Sequence, residues 1–482
     1  MKVLLLHLPH ARRSYLSTFA VEEPLAHLYL APVLQPAHDA RLVDLRMSPQ
    51  LERELGGFVP DAAVVGVNPL TVATLGPTLA RLRALAPAIR ILLVPETEYG
   101  NSHVTERPLD FVHPLADALI PNFALVQLRT TVPAVLAAWE ARAPLEGIAG
   151  LLVRRDGRWE ATTPVPNRVG APGVPDRTLL GRLRGRYLFG GIGRMAHLFY
   201  TYGCLYKCRF CPMSKHDGSM LARPLEDVLC ELAQMTEPNV YLQDFEPFLL
   251  EGAMEALAAA LERERIQKRW FMMLRSDTAL EQEELLLRWK RLGLRWIYLG
   301  LDGPTDQELK TIRKSNTVET NERAVRRLLD LGFRVTGGFV VRSDYTLEDF
   351  ARLRSAVREF PGALIGLTVE TPLVGTKLLD ETEGRLTTRD WSLFDLSHAV
   401  LPTVLPLPVF YRELAKLHLA AGLRPLAALR HFPPRDIART FLHGYGAVSR
   451  LAKSARDHET SGLDRRLGAA GNFANEPSMP HA

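Results

Sequence analysis

Four cysteines occur in the chain, and three of them fall within eight residues. The segment reads Tyr202-Gly203-Cys204-Leu205-Tyr206-Lys207-Cys208-Arg209-Phe210-Cys211-Pro212, a C-x₃-C-x₂-C spacing. Three thiolates on one tight loop can bind three irons of a [4Fe–4S] cube. The fourth iron then stays open to an outside ligand, just as a catalytic metal keeps one free position. Leu205, Tyr206 and Phe210 would screen such a cluster from water and tune its potential. A structural zinc site is the alternative, with His216 as fourth ligand, and a chance grouping is another. Structural zinc motifs usually pair two separated dyads, which this loop does not. Cys230 stands apart in LEDVLCELAQM. It is expected on the apolar face of a helix, as a small buried hydrophobe.

The elements that must carry this loop are legible from hydrophobic pattern. Residues 2–8, 40–47, 62–68 and 89–95 read as buried parallel strands separated by amphipathic helices. That alternation predicts a Rossmann-like doubly wound domain over 1–150. A hairpin over 150–160 turns at Asp156-Gly157. It opens a Pro-rich linker that spans 151–180. Strands expected at 197–203, 240–244, 270–276, 296–302, 333–341 and 364–370 then alternate with helices. Six β/α units predict a partial (β/α)6 barrel over 181–380, where a full barrel would need eight. Residues 381–450 read as a helical C-terminal region, and 451–482 as a polar, disordered tail. The cysteine loop follows the first barrel strand, on the face where such barrels place their chemistry.

Composition narrows the classes. Hydrophobic residues make up 47% and charged residues 23%, which excludes collagen, a disulfide mini-scaffold and wholesale disorder. No apolar run approaches the roughly 18 residues of a membrane span. The start, MKVLLLHLPHARRSY, reads as a first strand rather than a signal peptide. Clustered cysteines without such a signal point to metal chemistry in a reducing cytoplasm. The net charge of +5 comes from dispersed basic residues, so no nucleic-acid surface is implied.

C-x₃-C-x-Phe-C after the first strand of a six-unit barrel resembles the radical S-adenosylmethionine (SAM) superfamily. The resemblance implies a [4Fe–4S] cluster on Cys204, Cys208 and Cys211, with SAM on the open iron. Reductive cleavage of SAM would yield a 5′-deoxyadenosyl radical that abstracts hydrogen from a small-molecule substrate. An electron donor such as flavodoxin or ferredoxin would supply the electron. By the same resemblance Phe210, Asp244, Arg275, Lys310, Arg313, Pro372 and Gly375 would bind cofactor. Glu246, Asp277 and Asp302 would be the acid/base candidates. Lys314 shares the helix-face spacing of Lys310 and Arg313. His398, beside Asp390-Trp391 and Asp395, is expected to be structural.

The whole layout, including Val174-Pro175-Asp176-Arg177 at the linker's end, resembles the cobalamin-binding-domain subfamily of the superfamily. Its loops depart from that pattern. Pro95-Glu96-Thr97-Glu98 stands where a Gly-Gly turn is usual, and Pro121-Asn122-Phe123-Ala124 replaces a Gly-Glu-Gly-Glu-like stretch. Bulky and acidic groups there argue against cobalamin. The layout without cobalamin resembles the radical SAM diol dehydratases of apramycin-type aminoglycoside biosynthesis. That implies dehydration of a cationic aminosugar, with a partner reductase. The alternatives are a cobalamin-dependent radical C-methyltransferase and a non-catalytic Fe–S or zinc scaffold or sensor.

Overall fold

The computed structural model describes residues 1–11, 20–96, 105–121, 125–165, 170–189, 192–215, 218–360, 362–422 and Ser454. His216, Thr97-Glu98, Asn122-Phe123-Ala124 and the expected tail, Ser454 apart, lie outside these.

The first part of the chain contributes β1 (Lys2–His7), β2 (Ala20–Val21), β3 (Asp39–Asp44), β4 (Ala62–Val67), β5 (Arg90–Pro95), β6 (Ala118–Leu119), β7 (Leu152–Arg155) and β8 (Arg158–Ala161). All but β2 join one sheet, in the order β3-β1-β4-β5-β6-β7-β8. The first five of these pair in parallel, and the hairpin β7–β8 adds antiparallel. Alternation along the strands makes two cores. Val3, Leu5, Val64 and Leu92 pack on one face, and Leu4, Leu6, Val65 and Leu93 on the other. Both faces are covered, which is why the strands read as unbroken apolar runs.

The rest contributes β9 (Leu188–Phe189), β10 (Gly193–Leu198), β11 (Thr201–Tyr202), β12 (Leu221–Ala222), β13 (Asn239–Leu242), β14 (Arg269–Leu274), β15 (Leu294–Asp302), β16 (Arg334–Val341) and β17 (Leu364–Val369). The second sheet curls in the order β17-β16-β15-β14-β13-β10-β9-β2. Its six long strands are parallel, as a partial (β/α)6 barrel requires. Ala196, Leu198, Val240, Leu242, Trp270, Met272 and Ile297 face the helices. Met195, Tyr241, Phe271 and Trp296 occupy the alternate positions and form a separate cluster on the opposite, concave face. No helix among the described residues is long and apolar enough to cross a membrane.

Three expectations are corrected. The first barrel strand ends at Leu198 rather than running through Gly203. Asp244 pulls it out of the ladder by accepting hydrogen bonds from the backbone N–H groups of Tyr200 (2.9 Å) and Thr201 (2.7 Å). Cys230 is exposed, not buried. Its helix, Leu225–Gln234, buries Val228, Glu231 and Leu232 instead. A charged residue sits on the inner face, so the apolar pattern misled. The linker is also more than a connector, because Arg177 at its end is fully buried. It donates to Glu23 and Glu231 (2.7 Å for the latter) and to the His197 carbonyl. Beyond the barrel strands lie the short helix Lys377–Thr382 and the longer Leu407–Gly422.

Candidate active site

The cysteine loop is pinned from both sides. The Arg209 N–H donates to the Ile312 carbonyl at 2.9 Å, and Leu378 N–H donates to the Arg209 carbonyl at 3.0 Å. Lys377 N–H adds a bond to Ser214 Oγ at 3.2 Å. Inside the loop, Cys211 N–H donates to the Cys208 carbonyl at 3.0 Å. The loop opens at Gly203, whose φ is +111°. A Cβ there would stand 2.1 Å from the Ser219 carbonyl oxygen, so only glycine fits. Desolvation raises the pKa of all three thiols, and Cys211 is pushed up to about 12. Three clustered, half-dry thiols are costly to ionise alone, and a bound cationic cluster would hold them as thiolates. The donor set therefore fits a three-cysteine cluster.

The barrel strands end in charged side chains around this loop. After β13 come Asp244 and Glu246, both 2% exposed. Asp244 accepts from Tyr200, Thr201 and the Thr201 hydroxyl (2.7 Å), so it holds the turn into the loop rather than facing open space. Burial pushes its carboxyl up to about 6 against those donors. Glu246 accepts from Arg275 N–H at 2.8 Å through Oε2. Its Oε1 is buried without a hydrogen-bond partner. Burial pushes Glu246 up to about 8, so it is largely neutral at pH 7. Glu246 rather than Asp244 therefore keeps an orphaned carboxyl oxygen beside Cys204.

After β14, Arg275 and Asp277 form a two-point ion pair at 3.0 and 2.6 Å. The guanidinium also stacks on Tyr206 of the cysteine loop, 3.6 Å from the ring centre. At the end of β15, Asp302 has a positive φ of 62° and pairs with Lys314 at 2.6 Å. Burial opposes the charge on Lys314, yet Asp302 and Cys208 hold its pKa above the usual value. Lys310 and Arg313 lie further out, lining a cleft of about 600 Å³ with Asp277, Ser315, Asn316, Thr317 and Thr320. Arg313 reaches Glu381 at 3.8 Å. Pro372 and Gly375 follow β17, and Thr376 caps the helix that binds the cysteine loop. Phe210 sits half-buried within that loop. His398 is buried with Nδ1 2.9 Å from Asp395. The sequence reading passed over Glu370, a buried acid at the end of β17 that burial pushes up. Being one acid after an apolar run, it gave no motif signal.

At the C-terminal edge of the first sheet, Glu96 does not project outward. It is fully buried, with Oε1 2.9 Å from Nδ1 of both His7 and His27. Burial alone would raise its pKa, but the two histidines outweigh that and hold its carboxyl well below the usual range. The expected clash of this acid with cobalamin's phosphate-bearing tail is thereby removed, and this position is compatible with the corrin.

A model of the radical SAM superfamily matches residues 198–357. The hopanoid C-3 methylase of Methylococcus capsulatus is 29% identical over 425 residues, covering 86% of this chain and 79% of that protein. An anaerobic magnesium-protoporphyrin IX monomethyl ester cyclase of Synechocystis sp. is 23% identical, covering 93% and 91%. Among solved structures, the cobalamin-dependent SAM radical enzyme OxsB, with aqua-cobalamin and SAM bound, aligns with a TM-score of 0.63. It is 15% identical and covers 97% of this chain and 75% of its own. The radical SAM methyltransferase TsrM from Kitasatospora setae aligns at 0.61 with 16% identity, covering 98% and 100%. At these identities the structural likeness establishes the fold, and the radical SAM model matches the barrel residues that include the cysteine loop.

Proposed function

We propose that the protein is a cobalamin-dependent radical SAM methyltransferase acting on an apolar, polycyclic small molecule. The observation that carries this reading is the barrel's concave face. Met195, Tyr241, Phe271 and Trp296 floor it, with Phe189, Tyr298 and Leu364 packed against them. Met273, 36% exposed, continues the surface toward the rim. The four floor residues are 0–6% exposed, so hydrocarbon would be met by the half-buried Phe189, Tyr298 and Leu364 and by Met273. Each Å² of apolar contact there is worth roughly 25 cal/mol and offers a charged sugar little. The similarity to a hopanoid methylase and a porphyrin-ester cyclase supports the same substrate class, and the former supports methyl transfer.

In this reading Cys204, Cys208 and Cys211 hold the [4Fe–4S] cluster, which with SAM supplies the hydrogen-abstracting radical. Glu246 receives SAM's amino end. Arg275, locked by Asp277 and Tyr206, braces the loop, and Lys310 with Arg313 offers positive charge in the neighbouring cleft. Cobalamin would sit at the C-terminal edge of the first sheet and supply the methyl group. An external one-electron donor such as flavodoxin completes the requirement.

The test is anaerobic reconstitution with iron, sulfide and hydroxocobalamin. The enzyme is then given reductant, SAM labelled in its methyl group, and a triterpenoid, porphyrin or aminosugar substrate. Labelled methyl in the triterpenoid or porphyrin product, dependent on corrin, is expected. Corrin-independent loss of water from the aminosugar would replace methylation with dehydration.

A further inference from the structure

One other group of ligand-type side chains comes together among the described residues: His7, His27 and Glu96. Each is 0% exposed. His7 ends β1, His27 lies in the first turn of the helix Leu25–Leu34, and Glu96 follows β5. They meet at the C-terminal edge of the parallel sheet, where doubly wound folds bind their ligands. Nδ1 of His7 and Nδ1 of His27 each lie 2.9 Å from the same Glu96 oxygen. All the ligand atoms are within 4.8 Å of one another.

The tautomer of His27 is the informative detail. Its Nε2 lies 3.3 Å from the Val64 carbonyl oxygen. A carbonyl only accepts, so Nε2 carries the hydrogen. Neutral His27 then aims an Nδ1 lone pair at a carboxylate oxygen. Two lone pairs 2.9 Å apart in a dry core repel, so positive charge must lie between them. Either His27 is an imidazolium or a metal ion sits there. The 2.9 Å contacts of Glu96 with both histidines lie in hydrogen-bond range and lower its pKa, but none has the direction of a well-formed hydrogen bond. An imidazole held by a carbonyl through one nitrogen, with the other turned to a carboxylate oxygen, is the usual setting of a metal-bound histidine. Tetrahedral zinc with bonds of about 2.0–2.1 Å spaces its ligands roughly 3.3 Å apart, only slightly wider than found here. The carboxylate also has a built seat. A Cβ at Gly66 would stand 1.7 Å from Glu96 Oε1, so only glycine on β4 admits it.

We infer that His7, His27 and Glu96 form a binding site for a divalent transition-metal ion, zinc for preference, that ties β1, β5 and the first helix together. Two imidazoles and one carboxylate suit zinc and leave a further position for water. The site is separate from the cysteine loop, and it stands whether or not corrin binds.

The test uses the full chain with Cys204, Cys208, Cys211 and Cys230 all changed to Ala, which removes cluster iron and every thiol ligand for zinc. After zinc exposure and exhaustive dialysis, elemental analysis should find about one zinc per chain. Adding Glu96→Gln or His27→Ala should lower retention at least tenfold. Cobalt(II) in place of zinc should give the ligand-field absorption of a tetrahedral nitrogen–oxygen site, without sulfur charge transfer. Circular dichroism checks folding, and where the added variants do not fold the cobalt spectrum of the parent decides. A parent that stays metal-free and spectrally silent, or zinc retained undiminished by folded Glu96→Gln, would overturn the inference. The trio would then be a buried imidazolium–carboxylate cluster.

Discussion

Arg177→Met should unfold the protein more easily by about 3 kcal/mol at pH 7, and the loss should fade in acid. Arg177 has three acceptors: Glu23, Glu231 and the carbonyl of His197. Glu231 would keep two other partners, Arg223 at 2.7 Å and the Tyr29 hydroxyl at 3.1 Å. Among the described residues Glu23 would keep only His197, through its N–H at 2.8 Å and its ring Nδ1 at 3.7 Å. The cost therefore falls mainly on Glu23. Burial opposes its charge, yet Arg177 above all, with His197, lowers its pKa from 4.5 to about 2. At 1.36 kcal/mol per unit, that depression corresponds to about 3 kcal/mol. Breaking one partner of a buried pair typically costs about 3–5 kcal/mol, in agreement. For a domain of this size the midpoint should fall by roughly 7–14 °C.

The sign follows from linkage. Glu23's folded pKa is depressed, so its contribution is present above pH 4.5 and is lost as pH falls through about 2. The gap between wild type and Arg177→Met should be full at pH 7 and narrow steadily below pH 4.5. Urea unfolding across this range measures it. Adding Glu23→Leu to Arg177→Met leaves no lone charge at that site and should recover much of the loss. A single-variant cost below about 1 kcal/mol, or a gap unchanged down to pH 3, would refute the argument. The network also matters for the site. It clamps the His197 peptide on β10, the strand that leads into the cysteine loop.

Cys208→Ala should abolish the brown absorption of the reconstituted cluster and all 5′-deoxyadenosine formation, read by chromatography under dithionite. Glu246→Gln should weaken SAM binding at least tenfold, a charge-assisted bond being worth about 1.5–3 kcal/mol. In wild type, SAM affinity should rise with pH by up to tenfold per unit until about 8, where Glu246 becomes ionised, whereas Glu246→Gln should be flat; equilibrium dialysis at fixed salt tests both. Lys314→Met strands the buried Asp302 and should cost about 3–5 kcal/mol, with Asp302→Asn in the same chain restoring part of it. Thermal scans of the single and double variants separate these cases.

The fold was largely legible because two periodicities carry it. Unbroken apolar runs named the strands of both sheets, and their alternation with helices named the parallel topology. The cysteine loop was legible because its spacing is short and local. Three things were not. Cys230 was misplaced because Glu231, a buried ion-pair partner, occupies the inner face that pattern assigns to apolar residues. The sequence reading gave Asp244 to the cofactor and Glu246 to acid/base work. Only the fold shows that one is saturated by the turn after β10 and the other keeps a bare oxygen. Glu96 looked obstructive because its direction is set by Gly66, His7 and His27, which lie on other elements. Side-chain direction is a property of packing, and local sequence does not encode it.

The same packing bears on which reaction the rim can run. Dehydration of a diol radical needs a base that can take a proton near the radical centre. Asp277 is bound at two points by Arg275, and Asp302 by Lys314 at 2.6 Å. A carboxylate so paired is a poor counter-charge for a cationic sugar. Glu246 and Glu370 are both raised by burial, and Glu246, at about 8, carries little charge at pH 7. Apart from Lys310 and Arg313 in the outer cleft, the inner rim thus holds its charge mostly in pairs, above a concave face floored by Tyr241, Phe271 and Trp296. Hydrogen abstraction from an unactivated C–H bond followed by methyl transfer asks for no strong base at the rim, and it asks for a dry wall that holds hydrocarbon. If Asp302→Asn with Lys314→Met, a substitution that removes both charges, left methyl transfer within a few-fold of wild type, the acid/base route through Asp302 would be excluded.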